Sequence, residues 1–220
     1  MIGIERIIEN KDWVTFLLLA IVFSLTFINY VDRERLKQLF FLPFNNLYFS
    51  NYESTKENLI KGFNFSLFLI SNLTLTLFLY FVVKFYFPEK FNSLAHPFFY
   101  ILSLIIVYWT FKFLANRFVA WVFDLTSIQE NAGYIKLVYF LSINFYLLGF
   151  VIFGNYYFKW DVNFIKFTLV LYLILLLLRY YHFIKSINKL SFINIFYFIL
   201  YICTLEITPL LFFYKWGVTQ

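Results

Sequence analysis

Long apolar runs separated by short polar punctuation dominate this chain from end to end. Six of them reach the ~20 residues that a helix needs to cross ~30 Å of hydrocarbon. They lie at Trp13–Tyr30, Gly62–Val83, Pro97–Asp124, Tyr134–Gly154, Val162–Phe183 and Ser191–Trp216. The third run is overlong, so it is expected to tilt or to extend past the interface. Pro97 suits a first helical turn, where a missing N–H costs little. Pro88, Gly133, Gly154 and the KSINK stretch punctuate the other connections. The pattern predicts an all-α polytopic membrane protein, one transmembrane domain over residues 1–220.

Composition sharpens this picture. The 220 residues are 62% hydrophobic and 14% charged, which leaves too little polar surface for a soluble domain of this length. The formal charge of +6 raises nucleic acid as a partner, but the basic residues stand between apolar runs rather than in a block. Membrane topology and anionic lipid head groups account for them better, so lipids are the expected partner and nucleic acid is not. With six spans both termini share a side. That side carries seven of the 18 Lys and Arg residues and the opposite side eleven, two of which, Lys112 and Arg117, lie inside a span. The positive-inside rule therefore places both termini outside the cytoplasm. The first run is followed by VDRER rather than a small-residue cleavage site, so it is expected to be retained. One cysteine, Cys203, excludes an intrachain disulfide, and two histidines without a cysteine cluster offer no zinc site.

The longest connection, between the first two spans, opens with a short amphipathic pattern. Leu36, Leu39 and Phe40 share a helical face, while Arg33, Lys37 and Gln38 point elsewhere. The expectation is an interfacial helix in the head-group region, ended before Pro43. Arg33, Arg35 and Lys37 are then candidate lipid head-group contacts, joined by Arg179, His182 and Lys185 at the end of span five. A surface that docks a protein partner is the alternative for this loop.

The sixth run carries one carboxylate, Glu206, close to its middle. A charge at that depth costs about 2.5–3.5 kcal/mol on insertion scales, so it is expected to have a partner or a task. Lys112 lies just past the centre of span three, offset from Glu206 by roughly 7–8 Å in depth, which a lysine stem can nearly cover. Asn116 shares the Lys112 face at i, i+4 spacing. Asn72 and Asn144 stand at the centres of spans two and four. Pro209 removes the N–H that would bond the Leu205 carbonyl and leaves an acceptor near the carboxylate. These six residues form a candidate intramembrane polar site. Such groups also glue helices together without any chemistry, and both readings stay open here.

No Walker loop, dinucleotide fingerprint, G-x-S-x-G elbow or H-E-x-x-H occurs, so the sequence names no catalytic residue, metal ligand or cofactor. Glu53 and Glu57 are one of two close acidic pairs that a Mg²⁺-dependent lipid- or isoprenoid-modifying enzyme would need. The other, Asp32 and Glu34, alternates with Arg33 and Arg35 and reads as solvated charge.

The closing segment LYICTLEITPLLFFYK resembles the terminal motif of a family of multi-pass inner-membrane proteins typical of Bacteroidota, classed as a domain of unknown function. DWVTFLLL, the run from LFFLPFNN toward NFSLFL, and KFLANRFVAWVF are similar to the same family. The resemblance implies a bacterial cytoplasmic-membrane protein with Glu206 and Pro209 in its signature, and implies no activity, cofactor or partner. Three functions remain. The first is an accessory or scaffold subunit of a cell-envelope assembly, contacting other membrane proteins or a second copy of itself. The others are a proton- or ion-coupled transporter using Glu206 and Lys112, and the lipid-modifying enzyme.

Overall fold

The computed structural model describes residues 12–43, 48, 62–123 and 126–187. The described helices are α1 (Asp12–Val31), α2 (Arg33–Phe40), α3 (Gly62–Tyr86), α4 (Pro88–Ser93), α5 (Pro97–Phe123), α6 (Thr126–Tyr156) and α7 (Val162–Ile187). Five of them, α1, α3, α5, α6 and α7, are long and apolar enough to span a membrane. The sixth expected span, Ser191–Trp216, lies outside the described residues. The fourth span is the C-terminal part of a longer helix that begins at Thr126. Pro88 starts the short helix α4 instead of merely breaking the chain, because proline at the first helical position forfeits no hydrogen bond.

Two helices make the centre. α3 packs against α6 and α5, and α6 packs in turn against α7, while α1 and α2 close one side. Small polar residues line the contact between the two central helices: Ser71 and Thr74 on α3 and Asn144 on α6, all buried. Side chains of this size let backbones approach in a bilayer, where van der Waals packing replaces the hydrophobic effect between helices. α1 shows how narrow the inward stripe is. Val14, Leu18, Ile21 and Ile28 are buried, with Leu25 packed beside them, a 4-3-4-3 spacing that meets a partner helix. Phe16, Leu19, Phe23, Phe27 and Tyr30 on the other face are exposed, which suits lipid.

α2 is the short amphipathic helix expected after the first span. It begins at an Asp32 N-cap whose carboxylate accepts from the Arg35 backbone N–H at 3.3 Å. It packs against both α1 and α6. The Phe40 ring packs on Phe145 and Tyr146 of α6. Phe145 lines the same small cavity as Leu25, which stands about 9 Å of helix before the end of α1. The C-terminal end of α2 is held by α6, where the Tyr146 hydroxyl donates to the Phe40 carbonyl at 2.5 Å. Leu36, Leu39 and Leu42 are buried, so the apolar face of the helix is covered by protein.

At the opposite end, α6 and α7 are joined through a tight turn. Lys159 and Trp160 take left-handed conformations, φ 48° and 58°, which carry a cost for any residue with a Cβ. The Trp160 N–H returns to the Gly154 carbonyl at 3.0 Å, and its ring stacks on Phe81 of α3 at 4.2 Å between centroids. A Cβ on Gly154 would lie 2.8 Å from the Phe164 ring and 3.1 Å from the Trp160 ring. Phe164 is itself stacked on Phe158, at 4.4 Å and 12°, so it has little room to withdraw. Gly154→Ala is expected to destabilise the bundle by about 1–3 kcal/mol through overpacking. Unfolding in mixed micelles checks this, and an unchanged midpoint would mean that the rings yield.

Candidate functional site

Arg35 is the charged side chain that the fold treats most unusually. It sits one turn into α2, on the face of Leu36 and Leu39, and only 7% of it is exposed. Its Nε donates to the Tyr48 hydroxyl at 3.1 Å and its Nη2 to Asn64 Oδ1 at 3.2 Å. The guanidinium lies over the Phe63 ring, 4.4 Å from the centroid. A planar fork donating along its edges while stacking on an aromatic face is a geometry that lysine cannot reproduce. The cluster ties α2 to Tyr48 and to the first turn of α3. Tyr134 of α6 adds to the electrostatics of both Arg35 and Tyr48.

The charges follow from this arrangement. Burial works against the Arg35 cation, but the hydrogen bond and field of Tyr48, with smaller effects of Tyr134 and Asp32, outweigh it and shift the group upward. Burial, then the field of Tyr134, pushes the Tyr48 hydroxyl up against the opposing pull of Arg35. At neutral pH the pair is a cation and a neutral phenol. The Asn64 amide nitrogen has no hydrogen-bond partner among the described residues, although the residue is buried.

Arg33 and Lys37 are exposed on the same helix, where head-group contacts remain open to them, whereas Arg35 is turned inward. Lys136, two residues beyond Tyr134, is also buried. The amphipathic pattern had a signal for Arg35: positions 35, 36, 39 and 42 share one helical face, so an arginine on it goes wherever the leucines go. Nothing in the sequence brings Tyr48, Asn64 and Tyr134 to it, because they come from three other segments.

The mid-membrane asparagines are both in the packed centre. Asn72 and Asn144 donate to carbonyls one turn back on their own helices, Phe68 at 2.7 Å and Phe140 at 2.8 Å. Thr74, Thr76 and Thr168 bond back in the same way, at 2.9, 2.7 and 2.6 Å. Their donors are thus satisfied without a partner helix. The acceptor oxygens of both asparagines have no partner among the described residues, and neither has the Ser142 hydroxyl. Ser71, Thr74 and Asn144 border a cavity of about 10 Å³ between α1, α3 and α6.

Lys112 is half-buried on α5, its Nζ 3.3 Å from the Tyr108 hydroxyl and over the Tyr108 and Trp109 rings at 5.5 and 5.8 Å. Asn116 is half-buried one turn further along. Trp109 faces inward, edge-on to Phe68 and Phe140. Glu206 and Pro209 lie outside the described residues, so the expected pairing of Lys112 with Glu206 does too. Arg179 is half-buried near the end of α7, and the side chains of His182 and Lys185 lie outside the described set. Among the described residues no group of three or more His, Cys, Asp or Glu side chains is placed to hold a metal ion.

These features define an all-α polytopic membrane bundle, with a short helix latched by a buried arginine and polar groups folded back onto their own helices. The chain belongs to the family described as Domain of unknown function (DUF4271), whose sequence pattern matches residues 14–216. No curated protein and no solved structure matches it.

Proposed function

We propose that this protein is an accessory or scaffold subunit of a cell-envelope assembly, a single transmembrane domain in a bacterial cytoplasmic membrane with both termini in the periplasm. The observation that supports this reading is the use made of the interior polar groups. Arg35 holds α2 against α3, the Tyr146 hydroxyl closes the end of α2, and the asparagines and threonines bond their own helices. The first two contacts fix one helix against another, and the bonds back to the same helix satisfy buried donors locally, so these groups serve packing. The small cavity at the α3–α6 seam fits a packed centre rather than a conducting one.

The test is to tag the protein in its native host, extract it in mild detergent or native nanodiscs, and identify stoichiometric companions by mass spectrometry. A reproducible protein partner is expected. A monomer or homodimer alone would overturn the assembly reading. The transporter alternative would then be tested through Glu206→Gln, which should abolish flux while leaving insertion intact.

A further inference from the structure

An open groove of about 470 Å³ lies where α6 ends and α7 begins. Phe150, Phe153, Phe158, Phe164 and Phe167 wall it, and Asp161 and Asn163 are the polar residues of its lining. Asp161 stands between the two apolar windows that end at Tyr156 and begin at Val162, which is the level of the head groups. Phe150 and Phe167 stand about 8–9 Å deeper along their helices, within the hydrocarbon. The groove thus runs from a charged mouth to an apolar floor.

Its lining carries one charge, Asp161, and a second of opposite sign, Lys159, stands two residues away in the chain, outside the lining. Asp161 is exposed, and so is Lys159, held in its left-handed turn two residues earlier. Neither has an ion-pair partner among the described residues. A carboxylate lining a phenylalanine-walled groove favours a cationic group, which gains from the carboxylate and from the ring faces together. An ammonium side chain nearby would then repel that cation but attract a phosphate.

We propose that the groove seats one acyl chain of a zwitterionic aminophospholipid, with its ammonium on Asp161 and its phosphate on Lys159. The volume lies within the range of small-ligand sites and is large enough for much of one chain. An anionic lipid without an amine satisfies Lys159 and leaves the carboxylate facing a like charge.

The probe is purified full-length protein in nanodiscs containing equal amounts of phosphatidylethanolamine and phosphatidylglycerol, followed by native mass spectrometry. Wild-type protein is expected to retain one phosphatidylethanolamine in preference to phosphatidylglycerol. Asp161→Asn keeps a good helix-capping residue while removing the charge, and should reduce that preference roughly twofold to fivefold, the scale of one exposed ion pair. The wild-type comparison stands on its own if the variant fails to fold. Equal retention of both lipids overturns the proposal, as does an unchanged preference in folded Asp161→Asn. Retention of no lipid overturns it as well, because the groove is then filled by protein.

Discussion

Replacing Arg35 with alanine is expected to release α2 from the bundle and to destabilise the protein by roughly 2–5 kcal/mol, because the Tyr48 hydroxyl and the Asn64 carbonyl oxygen lose a charged donor inside protein. Arg35→Lys should recover little of this, since one ammonium cannot donate to both partners and stack on Phe63. Arg33→Ala and Lys37→Ala, at exposed positions of the same helix, should stay within about 0.5 kcal/mol of wild type. The contrast removes helix propensity as an explanation, because all four variants change α2. Two measurements read it. Denaturant titration in mixed micelles gives the stability. Maleimide labelling of Leu39→Cys in a Cys203→Ser background reports whether the buried face of α2 has opened. Labelling no faster in Arg35→Ala than in wild type would show that packing of Leu36, Leu39 and Leu42 alone holds the helix.

Trp160→Ala is the second large effect, a loss of about 3–5 kcal/mol. The ring stacks on Phe81, meets Phe164 edge-on at 6.1 Å, and lies near Phe78, so it ties the α6–α7 turn to α3. The backbone adds a separate contribution. A residue with a Cβ at φ 58° carries about 1–2 kcal/mol of strain, so Trp160→Gly should be more stable than Trp160→Ala although both lack the ring. Thermal unfolding of the two variants in one detergent separates packing from strain. Equal stability would mean that the turn relaxes once the ring has gone.

The two sites hold opposite ends of the bundle, and that bears on the proposed role. A subunit that serves an assembly must present fixed helix positions to its neighbours. The arginine latch at one end and the tryptophan wedge at the other supply fixed positions without occupying the outer faces. Phe16, Phe23 and Phe27 on α1, and Leu173 and Leu177 on α7, stay on the outside, where lipid or another membrane protein meets them.

By itself the sequence determined the class of fold and the ends of most spans. Apolar run length does this, since crossing hydrocarbon requires about 20 residues with every backbone hydrogen bond closed inside the helix. It also drew attention to Asn72, Asn144 and Lys112, because polar groups stand out against such a background. What it left undecided is which face of each helix turns inward. In a soluble helix, polarity marks the outside; in α1 and α7 both faces are apolar, so the buried and lipid-facing stripes look alike. α2 shows the consequence. Its amphipathic pattern is the same whether the leucines meet acyl chains or other helices, and only the packing against α1 and α6 selects the second and carries Arg35 inward with them. Tyr48, Asn64 and Tyr134 became a site for the same reason. Their meeting depends on how four segments cross, a tertiary property to which no local spacing in the chain corresponds.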